Sequence, residues 1–407
     1  MPSAPASRQF LRNLGTVVTG AAAAQAVALA AVPLLTRLYD PAAFGAFGLL
    51  AALSGIAATV AAGRWELAVV LPARDEDAAG VVALAALAAL GTASMAAVVL
   101  AVAGDRLPRA ELLWWLPPSL LLAALAEILA QWALRRERYR RVAAGQGARS
   151  AATVAAQAAA GALAPLPAGL LGGHLLGQAA QVAVLLRGAP RAWPGLRRLA
   201  AVAARYREFP LFGAPQALVN ALSQYGPAVM LAAFGEATVG LYWLALRVLT
   251  LPDAVLNQPL RQVFYRDASR AGADLRARLL RATAALAALG LPVLLAAVLA
   301  GPELFAWAFG EGWREAGAFA RWLAPWWFLG FVNVPSVAAI PLLHLQKAFL
   351  GYEVVLAAAR LGALAAGAAV AGPLTAVAAY ALVGAAFNAA LVGFVLHAAA
   401  PARRCAP

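Results

Sequence analysis

The chain is short of charge, cysteine and histidine, and each shortage removes a class of chemistry. Charged residues fill 12% of its 407 positions, where an average soluble domain has about 25%. The single cysteine, Cys405, lies at the tail, which excludes a disulfide framework and any cysteine-based metal site. Three histidines (His174, His344 and His397) are scattered without metal-ligand spacing. No metal and no cofactor are therefore expected. No glycine-rich loop precedes a lysine and a serine or threonine, so ATP-driven pumping is not supported. No segment between the apolar runs is long enough for a folded soluble domain. The chain is accordingly not read as an enzyme, and Asp75, Glu76 and Asp77 are read as a solvated loop between apolar segments.

What remains is apolar. Hydrophobic residues make up 63% of the chain, and the mean hydropathy is +0.77. No soluble core could absorb this excess, so the bilayer is the solvent that fits. Backbone groups in lipid must be satisfied within each segment, which makes helices the default spanning element. A membrane β-barrel would alternate apolar and polar residues, but the runs here are continuous. They fall near 10–36, 42–71, 78–103, 111–134, 144–164, 168–187, 208–234, 237–262, 279–300, 317–345, 348–371 and 373–400. Each reaches the ~20 residues needed to cross hydrocarbon. The first is too long for the apolar part of a signal peptide and is read as a retained span. The fold class expected is an all-α membrane protein of about twelve transmembrane helices.

Charge sets the orientation. With the N-terminus inside, twenty-four basic residues fall in cytoplasmic segments, including 135–149, 188–207 and 266–281. Only Arg37, Arg106, Arg109 and Arg314 fall outside. Arginine and lysine mark cytoplasmic loops, so both termini are expected in the cytoplasm. This distribution explains the net charge of +14: the arginines face anionic headgroups, not nucleic acid. The long basic loop at 188–207 leaves six segments on each side, giving halves 1–200 and 201–407. Each half starts inside and has an even number of spans. A duplication would therefore relate two six-helix bundles by a pseudo-twofold axis along the membrane normal.

Two stretches carry a resemblance. One runs from Pro33 to Tyr39 (PLLTRLY), then Pro41, Phe44 and Gly45, then from Arg64 to Pro72 (RWELAVVLP). The other comprises Phe209, Pro210, Asn220, Ser223, Gln224, Gly240 to Tyr242, Ala245, Arg247, Val248, Leu251 and Pro252. Together they resemble the polysaccharide-transporter (Wzx-type) family of oligosaccharide flippases, within the group that includes multidrug exporters and the lipid II flippase. Asp253 departs from the pattern, where a small or apolar residue is expected. The resemblance implies a flippase of the bacterial inner membrane. It would move an undecaprenyl-pyrophosphate-linked oligosaccharide to the outer leaflet for surface polysaccharide or lipopolysaccharide biosynthesis. Its expected partners are that lipid, the bilayer and other polysaccharide-assembly membrane proteins. The alternatives are a multidrug or lipid II exporter, or a membrane enzyme acting on lipid-linked sugars.

A charge in the bilayer costs roughly 2.5–3.5 kcal/mol on insertion scales, and is kept where it faces a cavity or a partner. Arg247 lies about ten residues, or ~15 Å, into its segment, and Arg360 is at similar depth from the other side. Both are candidates for binding a pyrophosphate through guanidinium forks. The structural alternative is a pair with Glu127 or Asp253, and both of these are also candidates for ion coupling. Arg64 and Glu66 lie near the cytoplasmic end of the second segment, and the family motif runs through them. Asn220 and Gln224 share one face of the seventh segment, Gln25 lies within the first, and Glu127, Gln131 and Arg135 form a stripe on the fourth. Such side chains can line a cavity or hold helices together.

Overall fold

The computed structural model describes residues 24–106, 109–190, 195–251, 253, 260, 264 and 274–400. Arg8, Arg12, Arg191, Pro252, Arg261, Arg266, Arg270, Arg403, Arg404 and Cys405 lie outside the described residues. Among those described there is no β-strand, and eight helices are long and apolar enough to cross a membrane. The chain is a multi-pass membrane protein, and it divides into two compact units, Met1–Val229 and Met230–Pro407.

The first unit holds α1 (Ala24–Leu38), α2 (Pro41–Ala61), α3 (Asp75–Ala103), α4 (Leu116–Arg135), α5 (Tyr139–Leu163), α6 (Pro167–Leu186) and α7 (Leu196–Arg205). Nearly all of α8 (Ala214–Leu231) also belongs to it. The second unit holds α9 (Glu236–Leu249), α10 (Leu275–Phe309), α11 (Arg314–Val332), α12 (Gln346–Ala371) and α13 (Pro373–Ala398). Setting α7 aside, these helices follow the twelve expected apolar segments in order.

Three boundaries differ from the hydropathy reading. The second segment was expected to run to 71, but α2 stops at Ala61, because Gly63 and Arg64 both take φ of +60°. A left-handed pair cannot continue a right-handed helix, so Trp65–Val70 becomes a separate 3-10 turn. The cytoplasmic loop expected at 135–149 shrinks to a short turn, and α5 begins at Tyr139. A Cβ on its Gly145 would lie 3.4 Å from Leu185 of α6, a close approach that small residues permit between membrane helices. Finally, Asp75, Glu76 and Asp77 form the first turn of α3, where carboxylates suit the positive end of the helix dipole. Arg135 and Arg136 pair with Asp75, and Arg198 pairs with Glu76 and Asp77. These carboxylates therefore tie α4 and the amphipathic α7 to the start of α3. Leu199 and Val202 of α7 are buried, and Val202 lies against Gly80 of α3.

Close approach between backbones organises the rest. Tyr39 is 2% exposed, and its hydroxyl donates to the Gln157 carbonyl at 2.8 Å. A Cβ on Gly161 would lie 2.7 Å from its ring, so α1 ends in a notch made by α5 and α6. In the second unit α10 kinks at Ala300, and Gly301 then lies backbone to backbone with Gly317 of α11. Large apolar side chains point outward, among them Leu163 (89% exposed) and Val370 (82%). Lipid is the only solvent that suits such a surface.

Candidate functional site

In the second unit four helices converge on Arg360. It sits near the middle of α12 and is 9% exposed. Its guanidinium carbon lies 3.9 Å from the ring centroid of Tyr380 on α13 and 4.4 Å from that of Trp326 on α11. Tyr242 of α9 brings its hydroxyl to that of Tyr380 and is within electrostatic reach of the same guanidinium. Gly384 makes the room: a Cβ there would meet Trp326 Cδ1 at 2.5 Å and Arg360 Nε at 3.1 Å. A desolvated cation–π contact contributes ~2 kcal/mol, so two rings offset much of the cost of placing this charge in lipid. They do not satisfy its donors. Nε and Nη2 have no acceptor, and no carboxylate among the described residues lies within ion-pairing distance. Arg247, in the last turn of α9, repeats the pattern on a smaller scale. It lies 4.9 Å from the Trp243 ring and its buried Nε has no acceptor. Asp253 is half-buried, and its neighbours 252 and 254–259 lie outside the described residues.

The first unit holds the first family-like stretch and the opening of the second. Trp65 donates from Nε1 to the Tyr206 carbonyl at 3.2 Å, and a Cβ on Gly63 would lie 3.7 Å from Pro210. The motif at 64–72 therefore packs on the entry to α8. Arg64 Nη1 lies 3.4 Å from Glu66 Oε1, while Arg64 Nε and Glu66 Oε2 are buried without hydrogen bonds. Glu127 is exposed midway along α4 and accepts from Gln131 at 2.8 Å, whereas Arg135 turns away to Asp75. Asn220 and Gln224 are exposed on one face of α8. Gln216 precedes them by one turn and is equally exposed, and it extends that face beyond the two amides expected from the sequence. Gln25 is half-buried near the start of α1, next to Ala24, whose carbonyl accepts from Ser150. Arg149 was assigned to a loop but lies within α5, with Nη1 3.4 Å from Gln181 Oε1.

Glu66 lies between the spanning helices α2 and α3 and is 5% exposed. Burial pushes its carboxyl above the ordinary carboxylate value. Its own backbone N–H and then Arg64 pull the other way, and the charge of Glu127 adds a smaller upward push. The folded protein thus holds a proton that the unfolded chain has already lost. The stability contributed by this group is complete below the ordinary value and is lost as pH rises through the raised one. Thermal unfolding in detergent from pH 4.5 to neutrality should show that decline, and Glu66→Gln should flatten it. An identical slope in wild type and variant would rule the linkage out.

Trp326, Tyr380 and Tyr242 were not singled out as site residues by sequence reasoning. A signal for Trp326 existed: interfacial tryptophans sit at helix ends, but Trp326 is well inside α11.

Comparison with known proteins places these features. No curated protein matches the chain. Among solved structures it is similar to the lipid II flippase MurJ in an inward closed conformation. The TM-score is 0.74 at 8% identity, covering 93% of this chain and 86% of that one. It is also similar to an inward-facing multidrug resistance MATE family transporter of the MOP superfamily, with TM-score 0.62, 14% identity and coverage of 91% and 95%. A MOP superfamily transporter from Pyrococcus furiosus gives 0.56 at 14% identity, covering 96% and 95%. At such identities the likeness establishes a shared fold and nothing more. A sequence model described as polysaccharide biosynthesis protein matches residues 34–318, a stretch that includes Arg64, Glu66, Asn220, Gln224 and Arg247 but not Arg360. With most of its length matched, and with the fold of MOP superfamily transporters, the chain belongs to the polysaccharide biosynthesis protein family.

Proposed function

We propose that this protein is a flippase that carries an undecaprenyl-pyrophosphate-linked oligosaccharide from the cytoplasmic to the outer leaflet of the bacterial inner membrane. In this reading both termini lie in the cytoplasm, as the distribution of arginines favours, and the two halves rock in alternating access. The observation that carries this reading is Arg360: a buried guanidinium on aromatic faces, with two donors unused and no carboxylate beside it among the described residues. An anionic headgroup supplies the missing acceptors, and a phosphate matches the guanidinium fork in geometry and charge. A cationic drug would be repelled by the same guanidinium. Lipid II shares the pyrophosphate and remains the second reading, supported by the fold likeness to MurJ. The hydroxyl-bonding amides Gln216, Asn220 and Gln224 suit the sugar, and Gln25, Arg64 and Glu66 are assigned to the same transport path.

The test uses a strain lacking the chromosomal gene and complemented by plasmid. Arg247→Ala should lower surface polysaccharide at least about tenfold, the equivalent of one charge-assisted hydrogen bond, at unchanged protein level in the membrane. Arg247→Lys should recover part of the export if point charge suffices, and none if the planar fork is required. Normal export by a normally folded Arg247→Ala protein would remove the cationic-cargo model.

A further inference from the structure

Near the first turns of α12 the second unit carries a cavity of about 350 Å³ that no family motif touches. Its floor is Ile340, Leu391 and Val395, each 4% exposed or less. Its walls are Phe349, Tyr352, Phe387 and Phe394. Phe349 stacks on Tyr352 at 5.8 Å and 16°, and Phe387 tilts against the same ring. The lining is hydrocarbon with one exception: the Tyr352 hydroxyl is buried and has no hydrogen-bond partner.

The geometry points to this groove as the seat of the polyisoprenyl chain of the transported lipid, at its phosphate-proximal end. Three observations converge. Tyr352 lies eight residues before Arg360 on α12, so the groove begins ~12 Å along the helix from it. The Arg360 side chain, like others in a helix, leans toward the N-terminus and hence toward the groove, and the two groups are within electrostatic reach. An amphiphile with an anionic head and a hydrocarbon tail is the one ligand class that would satisfy the guanidinium and fill the apolar trough together. The groove also lies beside Gln346 and Lys347, at the end of α12 expected to be cytoplasmic, where the tail of an inner-leaflet substrate has to be. The unpartnered Tyr352 hydroxyl between them is placed to donate to the first phosphate oxygen.

This inference rests on the flippase reading, and the experiment separates the two. The purified full chain in nanodiscs is probed with undecaprenol (tail without charge), inorganic pyrophosphate (charge without tail) and undecaprenyl pyrophosphate, with phosphatidylglycerol as competitor. Ala390 lines the groove and is exposed, so Ala390→Trp fills it from the open side, and Ala390→Leu does so more mildly. Undecaprenol binding should fall at least tenfold in Ala390→Trp and less in Ala390→Leu, with inorganic pyrophosphate unaffected. Unchanged undecaprenol binding in both variants overturns the groove. So does displacement of undecaprenol by phosphatidylglycerol as readily as by undecaprenol itself, which identifies an ordinary acyl-chain site. If wild type binds undecaprenol in the groove but neither pyrophosphate probe, the tail site stands and the pyrophosphate cargo falls.

Discussion

Arg360→Ala should stop export while leaving the protein at least as stable as wild type. The two effects have opposite signs for one reason. A guanidinium with two orphaned donors costs the empty protein, so removing it relieves that cost. In the proposed flippase the same donors would bind the cargo, and losing one or two charge-assisted bonds, ~1.5–3 kcal/mol each, would lower affinity by about ten- to a hundredfold or more. Arg360→Met keeps an unbranched apolar stem and more of the packing near Trp326 and Tyr380 than alanine does. It should therefore fold with a melting temperature at or above wild type and still fail to export. A guanidinium that merely braces the rings would behave in the reverse way, with stability lost in both variants. Export by Arg360→Met at the wild-type rate would end the case for this residue.

The largest stability effect is expected from one methyl group. A Cβ on Gly301 would lie 2.7 Å from the Gly317 carbonyl oxygen, and its next neighbours are also backbone atoms. No rotamer change can relieve that clash, so α10 and α11 must separate where the Ala300 kink presses them together. Overpacking costs ~1–3 kcal/mol where neighbours can shift, and the upper end or beyond is expected here. Gly362→Ala is the internal control: nothing lies within 4 Å of its would-be Cβ in α12. There alanine should stabilise the helix by ~0.5–1 kcal/mol. Gly301→Ala should thus show a lowered melting temperature and reduced membrane level, while Gly362→Ala shows neither. Equal stability of the two variants would mean that the helices do not meet at Gly301.

Hydropathy made the helices legible because each has to satisfy its own backbone in lipid, and the run lengths carry that demand directly. It failed where the chain stays apolar through a turn. Leu67 to Leu71 looks like more helix, and only the left-handed Gly63–Arg64 pair breaks it. It failed in the opposite sense at α5, where Arg140, Arg141 and Arg149 made a helix resemble a loop. The candidate site was half legible. A lone charge deep in an apolar run announces itself, and Arg247 and Arg360 were found that way. Their surroundings were not, because Trp326 and Tyr380 are ordinary residues for a membrane helix, and Gly384 gains meaning only from the ring lying against it.

The aromatic seat of Arg360 also makes folding and loading a single linked equilibrium. The rings stabilise the cation without supplying an acceptor, and no counter-ion lies beside it among the described residues. A ligand that binds only the native state adds RT ln(1 + [L]/Kd) to its stability, ~2.7 kcal/mol at a hundred times Kd. For the proposed flippase, cargo would then be a part of the native fold that arrives and leaves in every cycle. Such a protein would be least stable just after delivering its load, and uptake of the next would restore that stability.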